Sequence, residues 1–225
     1  TSTNKAGENK PVAAEVGLGS RVAAITSTFT QGNLTHVENP FSVALEGDGF
    51  FQIRTESGEL QYTRDGSFEI SPVANGNMLC TSDGNPVLDA YGNQIILPSN
   101  RVATDLVVNQ DGTLAFPDGT GNPAVITDAN GRPVKFGIYQ FNNPAGLSKE
   151  GSNNYSVTVA SGAAVAENGN AAVKQTKTHQ YYTEASNVDV ANEMVNLIVA
   201  QRAYEMNSKA IQASDEMMQQ ANALR

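Results

Sequence analysis

Side-chain oxygens followed by glycine recur along the sequence: Asp48, Asp65, Asn75, Asp83, Asp111, Asp118 and Asn130 each precede a Gly. Such oxygens invite a calcium reading, but a calcium loop needs alternating ligands closed by a bidentate Glu. None of these sites has that order, and Asp128-Ala129-Asn130-Gly131 comes nearest with its two candidate oxygens. Asp or Asn before Gly is also what tight hairpin turns require, because those positions need positive φ. Turns are the preferred reading. Nucleophilic catalysis has no better footing: Ser, His and Asp all occur, but no Gly-x-Ser-x-Gly elbow does. His36 sits in a polar loop with Asn33, Thr35, Glu38 and Asn39, and His179 in a Thr/Gln-rich stretch, so both read as solvated histidines. A phosphate-cradling glycine loop needs a helix straight after its glycines, whereas Gly49 is followed by Phe50-Phe51 and a strand. Cys80 is the single cysteine, which excludes an intrachain disulfide and a thiol-rich metal site. No catalytic, cofactor-binding or metal-ligating residue is assigned, and the chain reads as something other than an enzyme.

The elements carrying these residues are of two kinds. Residues 1–11 are polar with Gly and Pro and read as a flexible lead-in. Residues 12–183 alternate short β-prone runs with turn dipeptides, and nowhere show a helical apolar pattern of ten residues. Candidate strands include 21–30, 42–45, 50–54, 60–64, 67–70, 94–97, 106–109, 125–127, 135–141 and 173–182. Ser57-Gly58 and Asp65-Gly66 suggest two successive hairpins. Residues 161–172, rich in Gly, Ala and Asn, read as a flexible surface loop, with Tyr181-Tyr182 anchoring the return to the sheet. The fold class is mainly β, a meander, partly closed barrel or sandwich of short strands, with one long C-terminal α-helix. Gly47-Asp48-Gly49 marks a tight turn or a close backbone approach, and Phe50-Phe51 supplies strand bulk for the core.

The helix occupies residues 184–225. Ser186-Asn187-Val188-Asp189 has capping-box spacing and places its start near 187–190. Val190, Leu197, Tyr204, Ile211 and Met218 then fall seven apart, with no Gly or Pro among them. Small residues such as Ala200, Asn207 and Ser214 sit beside this stripe, and the opposite side is polar. A rod of roughly 50 Å results. Ala191, Met194, Val195, Leu197 and Ile198 form a broader face in the first turns, which packing on the β region could hide. Past Gln201 the stripe narrows, and Gln201, Ser208 and Asp215 break the second row of a simple leucine zipper. One large and one small residue per heptad suits close packing among several helices. Val190, Met194, Leu197, Tyr204, Ile211 and Met218 are the candidate assembly residues.

Composition narrows the partners. The 225 residues carry a net charge of −9, with 16% charged and 40% hydrophobic residues. No basic stripe exists to neutralise phosphates, which argues against nucleic acid and against anionic membrane surfaces. No apolar run approaches a membrane span. The chain opens at Thr1 with no signal peptide, as an excerpt or a processed chain would.

Several stretches, in order, resemble the axial-protein family of the bacterial flagellum (rod and hook), most nearly its distal-rod members. They are Gly17-Leu-Gly-Ser-Arg-Val22, Phe29-Thr-Gln-Gly32, Asn39-Pro-Phe-Ser-Val-Ala-Leu-Glu-Gly-Asp-Gly-Phe-Phe51 and Tyr62-Thr-Arg-Asp-Gly-Ser-Phe68. Asp83-Gly-Asn-Pro86, Asp111-Gly-Thr113, Phe141-Asn-Asn-Pro-Ala-Gly-Leu147, Ser186-Asn-Val-Asp-Val190 and Gln201-Arg-Ala-Tyr-Glu-Met-Asn-Ser-Lys209 complete them. The resemblance implies a subunit without cofactors that polymerises helically into a torque-transmitting shaft, with other rod proteins and the hook protein as partners. It implies export by the flagellar type III route without a cleaved signal peptide, and a C-terminal helix paired as a coiled coil with an N-terminal helix. That partner helix is absent from these residues. The short β region, without a large inserted outer domain, favours rod over hook. A proximal-rod or hook subunit of the same family is one alternative, and the alternative of another class is a secreted β-rich adhesin or carbohydrate-binding module with a stalk helix. It requires a groove lined by exposed aromatics, where the rod reading requires Phe50, Phe51, Tyr181 and Tyr182 mostly buried.

Overall fold

A computed structural model describes residues 27–118, 123–128, 130–170 and 172–223. The expected lead-in, Gly17-Leu18-Gly19 and the first part of the 21–30 strand lie outside them; the described remainder, 27–30, pairs with no strand. In chain order come β1 (Leu34–His36), β2 (Val43–Glu46), β3 (Phe50–Arg54), β4 (Leu60–Thr63), β5 (Glu69–Val73) and β6 (Gly76–Cys80). Next are β7 (Ile96–Leu97), β8 (Val107–Val108), β9 (Leu114–Pro117), β10 (Pro123–Val125), β11 (Ile138–Gln140) and β12 (Ser148–Gly151). β13 (Asn154–Ser156), β14 (Val165–Ala166), β15 (Lys177–Gln180) and β16 (Tyr182–Glu184) lead into α1 (Val190–Ala223).

These strands form small antiparallel sheets and no closed barrel. A six-stranded sheet runs β12-β13-β4-β3-β11-β14, beside three-stranded sheets β10-β9-β8 and β5-β6-β7 and two-stranded pairs β15-β2 and β1-β16. The central strand β3 explains the Phe-Phe dipeptide. Successive strand residues face opposite ways, and β3 is buried on both sides. Phe51 enters the main core with Phe68 and Phe136, ring centroids 5.0 and 5.3 Å away. Phe50 enters a second cluster with Tyr62, Phe141 and Leu147, against which Phe29 and Tyr155 pack.

One turn recurs five times, at 55–59, 81–85, 89–93, 109–113 and 128–132. In each, the first N–H donates to the fifth carbonyl, and the fourth residue, a glycine, donates back to the first carbonyl. Those glycines have φ between 75° and 85°. This is a three-residue loop closed by a left-handed glycine. The sequence expectation that Asp or Asn shares the positive φ is thereby corrected: only the glycine takes it. The carboxylates at the first position of two of these turns are held by the turns themselves. Asp89 Oδ1 accepts from the N–H groups of Tyr91 and Asn93 at 2.8 Å each, and Asp128 Oδ1 from those of Asn130 and Arg132 at 2.8 Å each. The Arg132 N–H, with Asn130 adding to it, holds the Asp128 carboxyl below its ordinary value. These oxygens act as turn keys.

Other expectations change. Asp65-Gly66 makes no hairpin, because β4 pairs with β3 and β13 while β5 pairs with β6. A Cβ on Gly66 would collide with the Val43 carbonyl oxygen, so this glycine permits a backbone crossing. The 161–172 segment is tied down where it is described. β14 pairs with β11, and the buried Glu167 carboxylate accepts from the Thr176 N–H at 2.7 Å, the Thr176 hydroxyl at 2.6 Å and Gln140 Nε2 at 2.7 Å. His36 lies in β1, between the rings of Tyr181 and Tyr182. Its exposure is as expected, its loop setting is not. The expected 173–182 strand is two strands split at Tyr181, whose φ of 65° redirects the chain from β2 to β1.

Candidate assembly interface

α1 begins where Asp189 caps it. Its Oδ1 accepts the Ala191 N–H at 3.0 Å, its carbonyl accepts the Glu193 N–H at 3.0 Å, and its Oδ2 accepts from Asn192 Nδ2 at 2.8 Å. Ser186 Oγ accepts only from the Val188 N–H, at 3.3 Å, so Asp189 rather than Ser186 is the N-cap residue. The short Asp side chain competes for backbone donors outside the helix, which suits it to this position. From there 34 residues continue without interruption, about 50 Å at 1.5 Å per residue.

Among the described residues of the helix, every side chain whose burial is described is exposed except Ser208. Val190, Met194, Leu197, Tyr204, Ile211 and Met218 are 68, 60, 59, 78, 64 and 59% exposed. The expectation that the β region covers the first turns is overturned, since Ala191, Met194, Val195, Leu197 and Ile198 are all exposed. The chain leaves β16 through residues 185–189, and the helix projects beyond the sheets instead of folding back on them. Sequence reasoning also missed a second ridge. Val199 and Met206 lie seven apart on the side of the helix away from the stripe, and Met217 joins them five turns after Val199. All three are exposed by 60% or more. Reading the heptads on from Val199 as well as from Val190 would have found it.

At the root of the helix the entering and leaving segments run side by side. β1 pairs with β16 through Leu34–Glu184, Thr35–Thr183 and His36–Tyr182. The Ala185 N–H donates to the Asn33 carbonyl at 2.9 Å. A Cβ on Gly32 would strike the Ala185 carbonyl oxygen, so only glycine permits this approach. Asn187 Nδ2 donates to the Thr30 carbonyl at 2.9 Å and hydroxyl at 2.7 Å. Glu184 accepts the Gly32 N–H at 2.9 Å on one oxygen and Arg64 Nε at 2.9 Å on the other. Arg64 Nη1 in turn donates to the carbonyls of Gly47 and Gly49 at 2.9 and 3.0 Å, and its guanidinium lies over the Phe50 ring. An open polar cleft of about 480 Å³ lies between these segments, with Arg64, Asp65, Asn153 and Tyr155 in its walls.

The Gly47-Asp48-Gly49 motif is thus part of this joint. Asp48 faces solvent. Gly49 is buried where a Cβ would lie 2.5 Å from Ile138 Cγ2 and 2.7 Å from Thr176 Oγ1. The chain bends at Gly47, whose φ is 139°, and approaches Ile138 and Thr176 closely at Gly49. Of the four aromatics, Phe50 and Phe51 are buried and Tyr182 half-buried, while Tyr181 is 38% exposed and stacks on His36. Tyr181 corrects the expectation of burial. Its left-handed backbone points the ring outward.

Comparison with known proteins bears on this surface. Residues 179–224 match the family described as flagellar basal body rod FlgEFG protein C-terminal, and residues 44–116 match the flagellar hook protein FlgE/F/G D1 domain. The chain is similar to the flagellar basal-body rod protein FlgG of Borreliella burgdorferi, with 38% identity over 96% of this chain and 76% of that protein. It is similar to FlgG of Agrobacterium fabrum, with 38% identity over 92% of this chain and 73% of that protein. The flagellar hook-basal body complex protein FlhP of Bacillus subtilis is 34% identical over 87% of this chain and 69% of its own length.

Proposed function

The chain belongs to the FlgE/F/G family of flagellar basal-body rod proteins, and from that premise we propose that it is a distal-rod subunit polymerising helically into the drive shaft that passes torque to the hook. The observation that carries this reading is α1 itself. Its large apolar side chains are exposed in rows along the whole helix. Each forgoes about 1.5–3 kcal/mol of burial while left in water. Such a surface is half of an interface. Two ridges on opposite sides call for neighbours on both, as in a wall of helices. A head-to-tail contact that does not close generates a helical filament.

In this reading residues 12–183 form an outer β domain whose side contacts stiffen the shaft, and residues 184–225 form the assembly segment. Val190, Met194, Leu197, Tyr204, Ile211 and Met218 carry helix–helix packing, paired as a coiled coil with an N-terminal helix of the full-length protein. The subunit is structural, with no catalytic or cofactor role. Its partners are copies of itself, other rod proteins and the hook protein. It works outside the cytoplasmic membrane, in the periplasm or cell wall, after type III export without a cleaved signal peptide. No described helix is long and apolar enough to cross a membrane.

Electron microscopy of the purified full-length protein tests the proposal. Tubes or filaments are expected. Monodisperse particles across a wide concentration range would overturn it.

A further inference from the structure

A shaft made of such subunits transmits load only if each helix is fixed to its β domain, and α1 gains no such fixing from its own side chains. Among the described residues from Val190 onward, all but Ser208 are exposed where burial is described. Its direction is therefore set by residues 184–189, which carry no regular structure after Glu184. A five-residue connection of this kind is ordinarily a swivel.

Here it is pinned at three successive points. Glu184 is bound on both carboxylate oxygens, by the Gly32 N–H and by Arg64 Nε, with the Arg64 and Glu184 side chains each only 13% exposed. Ala185 is bound through its backbone to Asn33. Asn187 reaches back to Thr30 with its side-chain amide. Arg64 stands at the end of β4 and also holds the carbonyls of Gly47 and Gly49, which precede the central strand β3. A rigid planar guanidinium making three such bonds fixes direction as well as distance. Thr30, Gly32 and Asn33 hold the connection from one neighbouring segment and Arg64 holds it from the end of β4, so contacts to two separate segments oppose rotation about it.

We infer that Glu184 and Asn187 are positioning residues that lock the direction of α1 relative to the β domain, with Arg64 carrying the load from the helix root into the six-stranded sheet. The lock rests on the rod reading for its purpose but not for its existence, and the two fail separately.

The test uses the full-length protein with Cys80→Ala and spin labels on cysteines introduced at Glu56 and Gln201, both exposed. Double electron–electron resonance then reads the distance between sheet and helix. In the parent a single narrow distribution is expected. Glu184→Gln with Asn187→Ala should broaden it roughly twofold, and Asn187→Ala alone, an exposed change that leaves the fold intact, should broaden it less. A merely structural role would lower the melting temperature without widening the distribution. Asn187→Ala should widen the distribution while shifting the melting temperature by less than about 4 °C. An unchanged width in both variants overturns the lock, as does a parent distribution already as broad as theirs. Failure of the parent to form filaments would instead count against the rod reading.

Discussion

Replacing Tyr204 and Ile211 with Asp separates folding from assembly, because both side chains are exposed in the single chain and the proposed function gives them to helix–helix packing alone. They are 78 and 64% exposed in the single chain. Substitutions at such positions ordinarily move domain stability by no more than about 0.5 kcal/mol. Intrinsic helix preference does not intervene, since Asp, Tyr and Ile differ by only a few tenths of a kcal/mol in a helix interior. The polymer is another matter. Each side chain, once covered, contributes about 1.5–3 kcal/mol, and truncation to Ala forfeits most of it. At 1.4 kcal/mol per factor of ten, Ile211→Ala alone should raise the concentration needed for filament growth by about tenfold or more. A carboxylate at the same position must also be desolvated without a partner, which adds several kcal/mol. The double Asp variant should therefore fail to assemble at any attainable concentration, while its circular dichroism melt overlays that of the parent. Sedimentation and electron microscopy of the full-length protein measure the first quantity, and complementation of basal bodies in cells gives the physiological counterpart. Normal basal bodies from the double variant would refute the argument. A large loss of melting temperature would do so equally, because it would mean that these side chains are buried within the single chain.

The second ridge gives an independent handle: Val199→Ser with Met206→Ser should weaken filament growth about tenfold or more, again with an unchanged melt. Two glycines separate collision from conformation. Gly66→Ala drives a Cβ into the Val43 carbonyl and should prevent folding, whereas Gly58→Ala meets nothing within 4 Å and should cost only about 1 kcal/mol for its left-handed φ in urea denaturation. The third concerns acid. The hydrogen bond from His179, 2.7 Å away, holds the Glu46 carboxyl below its ordinary value. A carboxyl lowered in the folded state contributes stability above its unfolded pKa and loses it as pH falls through the folded one. Melts from about pH 7 to about pH 3 should therefore show a shallower acid limb in Glu46→Gln than in the parent.

Legibility in the sequence followed the range of the interaction. The helix was readable, because heptad spacing and the lack of Gly and Pro are local signals. The fold class was readable for the same reason. The helix start, expected near 187–190 within a segment opening at 184, lies at Val190, since Glu184 ends a strand and 185–189 form the connection. Turn positions were legible from Gly58, Gly84, Gly92, Gly112 and Gly131, but not their type, since Asp and Asn before Gly fit both a two-residue turn and a three-residue loop. Pairing between distant segments was not legible. Nothing in Asp65-Gly66 reveals that Gly66 crosses Val43 instead of turning a hairpin, and nothing in the Gly- and Ala-rich 161–172 stretch reveals that Glu167 anchors it to Thr176. The joint at Arg64, Glu184 and Asn187 was hidden likewise: its partners lie 120 and 157 residues apart. Gly32 was the one local hint there, since it stands where two backbones meet.

The uncovered helix and the pinned joint explain one another. A helix whose apolar rows are covered only by other subunits cannot take its orientation from its own domain, as helices in ordinary α+β folds do by burying one face on a sheet. Orientation must then come from the connection. A swivelling connection would make every subunit contribute disorder to the contact it forms, and ordering it would be charged against each association step. Pinning the helix root through Glu184, Ala185 and Asn187 moves that entropic cost from assembly into the folding of the single chain. There it is met by a core that buries Phe51, Phe68 and Phe136 completely. In the proposed polymer the same geometry would resist bending, because a bend of helix against β domain has to break the Arg64–Glu184 pair or pull Asn187 from Thr30. The surface that assembles and the residues that aim it are therefore different sets. Substitutions in the first should reduce how much polymer forms, and substitutions in the second should alter how regular it is.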